Sequence, residues 1–422
     1  MLVKPTEIIS IKSNLLSMSR DFDYFAFLDN NHYPSAFSEF DFAVAMGAEQ
    51  KISCKSGHAF NDFQKIYQKH PGWWFGYFGY DLKNEIENLS SHLPDRLEFP
   101  DLLFFKPNTV LLCKNNKISI YGTSAEKIIL KLRSTNPKIF EFSLRKQKIE
   151  QNMTREEYIE SVKKLKSHIQ HGDIYEINYC LENFMERVTI NPQNLYYRLN
   201  EVSPMPFSCF FKMKNHYIIS ASPERFLKKS GTTLTSQPIK GTISRSDSYV
   251  KDKQLAETLH RSEKDRAENL MIVDLVRNDL ARCSVAGSVK VKELFGIYSY
   301  PNVHQMISTI TSKQLRGLDF TNIIKSTFPM GSMTGAPKVE AMKLIEHYEK
   351  SKRGVYSGSA GYISPNGDFD FNVLIRSVFY NSANKNLSFF SGGAITAKSE
   401  PFKEYEECMI KTKAIREMLG MS

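Results

Sequence analysis

The chain has 422 residues, 41% of them hydrophobic and 24% charged, which is enough apolar material for one large or two moderate domains. Its 29 Phe and 20 Tyr exclude a disordered chain. The net charge of +10 is spread along the sequence rather than gathered into basic patches interleaved with aromatics, which argues against a nucleic-acid binder and leaves small acidic substrates as fitting partners.

The N-terminus, Met1 to Pro5, lacks the apolar core of a signal peptide, and no apolar run reaches membrane-spanning length. A soluble, cytoplasmic protein is the expectation. Residues 1–145 alternate short apolar runs, such as Leu102 to Phe105 and Thr109 to Leu112, with polar turns, so strands with a few helices are predicted. In the run Gly72 to Asp81, glycines stand among large rings, which predicts close packing of a buried strand pair. The composition shifts at 135–153, and the polar segment Leu144 to Asn152 marks a boundary. A helix follows: Thr154 and Glu157 form a capping box, Tyr158, Val162, Leu165 and Ile169 recur at helical spacing, and Gly172 ends it. Strand periodicity takes over at Tyr175, Ile177 and Tyr179.

One long helix is predicted over 252–280, with Glu268 bordering the apolar run Leu270 to Val273. Gly331 to Lys338 reads as a flexible loop opening a helix with the stripe Val339, Met342 and Ile345. Pro365-Asn366-Gly367-Asp368 is a hairpin turn. The strand after it puts Phe369, Phe371, Val373 and Ile375 on one face, with Asp370, Asn372, Leu374 and Arg376 on the other. A glycine loop at Gly392-Gly393 then leads through Pro401 into a last helix. The six cysteines form no Cys-x-x-Cys pair and no disulfide framework, and they fit reduced thiols.

Lys240 stands between Pro238-Ile239 and Gly241-Thr242, on stiff and then permissive backbone. A desolvated lysine there is a candidate nucleophile. Glu224, sixteen residues earlier, comes beside it if the chain runs out and back as strands. That would make an acid–nucleophile pair. Arg376 and Lys411 are candidate carboxylate partners, and Gly392-Gly393 offers unobstructed backbone N–H groups. Glu404, Glu407 and Lys411 share one helix face, and a carboxylate from that face together with Glu268 suits a hard divalent cation. Each has an ordinary alternative. Lys240 could be a surface charge, Gly-Gly a turn, Arg376 a structural ion pair and Lys411 the i,i+4 partner of Glu407.

In this order the motifs resemble those of the chorismate-utilising enzymes. The matching runs are Ser222 to Phe226, Pro238 to Thr242, Arg266 to Leu275, Arg277 to Leu280, Val303-His304, Gly335 to Lys338, Ser357 to Tyr362, Gly392-Gly393 and Glu404 to Glu407. The resemblance is dense over 151–416 and implies an α/β (α+β) fold of two stacked, mixed, β-rich subdomains with helices outside. It divides the chain into an N-terminal subdomain of the anthranilate synthase component I type (1–145) and a chorismate-binding catalytic domain (150–420). It also implies Mg²⁺ on Glu268 and Glu407, and Glu224 as general acid or base. Thr242, His304, Thr334, Tyr362, Arg376, Gly393 and Lys411 would surround the substrate.

Within the family, Pro-Ile-Lys-Gly-Thr is similar to the aminodeoxychorismate synthases, whereas anthranilate synthases usually carry Ala at the lysine. The resemblance therefore implies amination of chorismate to 4-amino-4-deoxychorismate through a covalent Lys240 adduct. Anthranilate formation is the alternative. Family members that add water usually have Lys where this chain has Glu176, and ammonia users usually have Gln, so Glu176 departs from both. Ala394 and Lys398 depart as well, where Gly and Asp are common. No glutaminase-type cysteine turn is present, so the implied partner is a separate glutamine amidotransferase subunit supplying ammonia. The Leu-Leu-Glu-Ser run of tryptophan-regulated relatives has no counterpart, and Phe27 to Asn30 stands in its place.

Overall fold

The computed structural model describes residues 3–33, 39–123, 125–134 and 148–420. Most of the segment read as a boundary lies outside them. Among the described residues the chain builds two large antiparallel sheets, of 11 and 10 strands, with helices at the periphery. This is the α/β arrangement of two β-rich layers anticipated from the sequence.

The first sheet runs from the short strand Gly335–Ala336 through Glu176–Met185, Asn386–Ile395, Ser377–Asn381, His216–Ser222 and Phe207–Met213 to four N-terminal strands. The second runs from the edge strand Ile239–Ser244 through Val303–Lys313, Thr233–Gln237, Arg225–Ser230, Phe369–Asn372 and Ser359–Ile363 to three N-terminal strands. Residues before 145 thus lay strands into both sheets.

The main core is aromatic. Trp74, Phe75, Tyr77 and Phe78 of the strand Trp74–Phe78 are fully buried. Gly76 is required in that strand because a Cβ there would overlap the Leu103 carbonyl of the neighbouring strand. Phe63, Phe104 and Phe371 extend the same cluster. A second cluster packs the first sheet's other face against the helices Ile8–Met18 and Pro192–Val202. A smaller one joins the helices Arg155–His171, Lys338–Tyr348 and Pro401–Met418 to the strand Glu176–Met185.

The capped helix forms as read. Thr154 accepts from the Glu157 N–H, Glu157 reaches back, and Gly172 closes the end at φ 88°. The predicted helix over 252–280 is instead two helices, Tyr249–Arg261 and Glu263–Ala281. Ser262 breaks them: its backbone is extended, and its side chain caps the second helix by accepting from the Asp265 N–H. Val339 is exposed at 38%, and the buried stripe of its helix is Ala341, Met342, Leu344 and Ile345. The glycines at 392–393 lie inside the strand Asn386–Ile395, opposite Cys180 and Tyr179, rather than in a loop. A Cβ on Gly392 would collide with Cys180 Sγ and the Tyr179 carbonyl, so close sheet packing demands glycine there.

Candidate active site

The site forms where the margins of the two sheets touch. Lys240 comes from the edge strand of the second sheet, and Glu176 opens the strand Glu176–Met185, next to the edge strand Gly335–Ala336 of the first. Lys240 Nζ donates to Glu176 Oε1 at 2.9 Å, with side-chain exposures of 10% and 1%.

The sequence Lys240-Gly241 explains how the amine is aimed. The ladder to Val303–Lys313 shifts register between Ile239 and Thr242, and Gly241 sits at φ 94° in that bulge. The helix Glu263–Ala281 crosses so close that a Cβ on Gly241 would meet Asp265 at 3.0 Å. Only glycine accepts both the positive φ and this approach. From the same helix, Asn269 Nδ2 donates to the Lys240 carbonyl at 3.3 Å, and Asn269 Oδ1 is held by Ser308 Oγ at 2.6 Å. Glu268 is thereby fixed next to the residue that clamps the lysine backbone.

Glu224 precedes the strand Arg225–Ser230, whose antiparallel pairing with Thr233–Gln237 brings the chain back to Lys240. Its carboxylate accepts from Ser332 Oγ at 2.6 Å. Burial pushes the Glu224 carboxyl up to about 7, against the opposing pull of Ser332 and Lys240. Glu268 is pushed up to about 7 for the same reason, with Lys240 and Lys264 opposing. Desolvation pulls the Lys240 ammonium down, but Glu176, Glu268 and Glu224 outweigh it and its pKa rises. The lysine therefore rests as a cation among three acidic side chains.

The far wall is the helix Pro401–Met418 against the glycine strand. A Cβ on Gly393 would lie 3.2 Å from Glu404 Oε2, 3.7 Å from Lys411 Nζ and 3.8 Å from Glu407 Oε1, so glycine leaves open the space these groups face. Lys411 bonds Glu407 at 2.6 Å and the Gly392 carbonyl at 2.7 Å. The i,i+4 pair of the ordinary reading is thus formed, and formed at the site. Burial works against the Glu407 carboxylate, yet Lys411, Lys264 and Lys240 hold it below the usual range. Arg376 Nη1 donates to the Lys411 carbonyl at 2.8 Å. Desolvation lowers the Arg376 pKa, with Tyr356 and Glu407 opposing.

Glu268 Oε1 is buried without a hydrogen-bond partner. Lys264 feels Glu268, Glu404 and Glu407 together. Among the described residues no three His, Cys, Asp or Glu side chains converge as a ready metal cage. Magnesium, however, takes only one or two protein carboxylates and completes its shell with water and substrate oxygens. A buried carboxylate oxygen with no hydrogen bond and a loose 3.8 Å ion pair to Lys264, a lysine that also feels Glu404 and Glu407, fits that demand.

The match to known proteins agrees with this geometry. The sequence profile described as chorismate binding enzyme matches residues 26–417. The chain belongs to this family. It is 35% identical over 349 residues to aminodeoxychorismate synthase component 1 of Escherichia coli, covering 82% of this chain and 76% of that protein. It is also 35% identical over 397 residues to a probable chloroplastic aminodeoxychorismate synthase of Oryza sativa, covering 84% of this chain but only 44% of that longer protein. Its fold matches the crystal structure of anthranilate synthase component I from Streptococcus pneumoniae with a TM-score of 0.80 and 25% identity, over 92% of this chain and 93% of that one. The chain is therefore a chorismate-utilising enzyme of the anthranilate and aminodeoxychorismate synthase component I family.

The residues implied by the family motifs fall into two groups. Lys240, Glu224, Glu268, Glu407, Lys411, Arg376 and Gly393 belong to the linked set just described. Thr242 lies on the same edge strand, exposed, across from Gln305. Thr334 is fully buried beneath the site, where its carbonyl accepts from the Asn178 N–H at 2.8 Å. His304 is buried and engaged on both ring nitrogens, by Asp252 at 3.0 Å and Ser299 at 2.8 Å.

Tyr362 stands apart from this linked set. Its ring packs on Phe40, Trp73 and Phe75. It lines a separate cavity of about 60 Å³ with Leu28, Asp29, Arg225 and Asn372, whose lining includes neither Lys240 nor Arg376. The tyrosine that senses Arg376 is Tyr356, six residues earlier, stacked on Phe390 with centroids 4.7 Å apart.

Sequence reasoning also missed Arg353. It is buried and bonded to Glu349, and it donates to the Met333 carbonyl at 2.6 Å and the Asn178 carbonyl at 2.7 Å. Asn178 in turn holds the Ser332 carbonyl at 3.1 Å. This network straps the 331–334 turn, and with it Glu224, to the strand that carries Glu176.

Proposed function

We propose that the protein is an aminodeoxychorismate synthase component I, which aminates chorismate to 4-amino-4-deoxychorismate on the way to p-aminobenzoate and folate. The observation that carries this reading is Lys240: a buried primary amine, joining the edge strand of one sheet to a strand of the other, with Glu224 and Glu268 close enough to shift its ionisation. A lysine so placed is a nucleophile in waiting, and a carboxyl held near 7 is a proton donor at neutral pH.

Chorismate carries two carboxylates, and Arg376, Lys411 and the open space at Gly393 offer cationic and backbone partners for them. Lys240 attacks ring carbon C2 while Glu224 protonates the departing 4-hydroxyl. Ammonia then adds at C4 and the lysine leaves. Covalent catalysis divides one difficult substitution into two easier ones. Glu268 and Glu407 would hold Mg²⁺, which when bound supplies positive charge to a substrate carboxylate. A separate glutamine amidotransferase subunit would deliver the ammonia, and the E. coli relative's designation as a component supports that division.

A second reading is anthranilate synthase component I, favoured by the fold match to the streptococcal enzyme. Product analysis separates the two. With chorismate, ammonium and Mg²⁺, the purified chain should release 4-amino-4-deoxychorismate, which gives p-aminobenzoate only after a lyase is added. Fluorescent anthranilate formed without any lyase would reject the amination reading.

A further inference from the structure

Glu176 is the carboxylate that touches the nucleophile. It opens the strand Glu176–Met185 and is 1% exposed. Its Oε1 accepts from Lys240 Nζ at 2.9 Å, while its Oε2 is buried without a hydrogen-bond partner. A buried carboxylate oxygen left idle costs stability, and here it stands beside an amine that must shed a proton before it can attack. Glutamine could accept the same hydrogen bond, but it could not carry the proton away. The charged groups around Nζ are Glu176, Glu224 and Glu268. Glu224 is engaged by Ser332, and Glu268 faces Lys264 at 3.8 Å.

We propose that Glu176 is the base that serves Lys240, taking one proton from its ammonium as the amine attacks and returning it as the amine departs. This rests on the reading of Lys240 as nucleophile. In the first half-reaction a proton passes from Nζ to Glu176. The neutral amine bonds to ring C2, both ring double bonds shift (C1=C2 to C1=C6 and C5=C6 to C4=C5), and the C4–O bond breaks. Glu224 gives its proton to the hydroxyl, which leaves as water. The adduct nitrogen is then a secondary ammonium and Glu224 a carboxylate. In the second half-reaction ammonia bonds to C4, both double bonds shift back and the C2–N bond breaks, releasing lysine as a neutral amine. Lysine recovers its proton from Glu176, and Glu224 takes one from the new C4 ammonium. Chorismate and ammonia give product and water, with no change of oxidation state.

The test follows adduct formation in the full-length enzyme with saturating chorismate and Mg²⁺ and no ammonia, by rapid quench and intact mass from pH 6 to 9. The ratio of wild-type to Glu176→Gln rates cancels ionisations common to both. In wild type the proton moves within the pair, whereas in the variant solvent must remove it. The ratio should therefore be largest at pH 6 and fall about tenfold per pH unit until the variant's lysine is free. Glu176→Asp, which keeps a carboxylate, should react more slowly with a ratio that does not change with pH, and it decides the matter if the glutamine variant fails to fold. A pH-independent ratio for Glu176→Gln, or a steeply pH-dependent one for Glu176→Asp, overturns the proposal. Absence of any wild-type adduct overturns the nucleophile reading as well, so the two failures are distinguishable.

Discussion

Replacing Glu224 with Gln should stabilise the protein at alkaline pH while removing its catalytic acid. The side chain is 4% exposed, and burial raises its carboxyl from the ordinary 4.5 to about 7. A carboxyl whose folded pKa lies above its unfolded value contributes stability in full below the unfolded value and loses it as pH rises through the folded one. The window is therefore pH 4.5 to 7. At about 1.4 kcal/mol per unit, a shift of this size corresponds to about 3 kcal/mol. Gln keeps the volume, and its side-chain carbonyl can still accept from Ser332 Oγ, but it does not ionise. The stability gap between variant and wild type should thus grow by about 3 kcal/mol in the variant's favour from pH 4.5 to pH 8. Urea unfolding of both proteins across that range measures the gap and cancels the other titrating groups. Amination by the same variant should fall about 100-fold or more. A gap that stays constant, or that turns against the variant at high pH, would show that Glu224 is not held protonated by burial.

Glu268→Gln should raise the Mg²⁺ concentration needed for half-maximal activity by about tenfold or more; an unchanged metal titration rejects Glu268 as a ligand. Gly392→Ala forces a methyl group into Cys180 and the Tyr179 carbonyl, and it should cost about 1–3 kcal/mol, seen as a lower melting temperature. Tyr356→Phe should weaken chorismate binding, because its hydroxyl lies within electrostatic reach of Arg376. Tyr362→Phe should leave kcat/KM near wild type. The opposite ranking would return Tyr362 to the site.

Much of the site was legible because its chemistry sits in short local runs. Lys240 announces itself by its proline and glycine neighbours, and the acidic helix face by spacings of three and four. The capped helix Arg155–His171 was equally plain, since its capping box and Gly172 are both local signals. The break at Ser262 was also written in the sequence as Ser262-Glu263-Lys264-Asp265, a capping signal hidden inside a continuous helical pattern. Other features depend on long-range pairing. That the edge strand of one sheet meets a strand of the other, and so joins Lys240 to Glu176, follows from no local periodicity. Tyr356 and Tyr362 stand six residues apart in one glycine-rich run, and only the tertiary structure decides which approaches Arg376. Arg353 has an ordinary surface pattern around it, yet it is buried as the clamp between two backbone carbonyls.

The central claim is a covalent bond between Lys240 and the substrate ring. Incubation with chorismate and Mg²⁺ but no ammonia, followed by acid quench and peptide mass mapping, tests it most directly. The account predicts a peptide containing Lys240 heavier by chorismate less one water, and absent from Lys240→Ala. An unmodified Lys240 peptide alongside full amination by Lys240→Ala would contradict it.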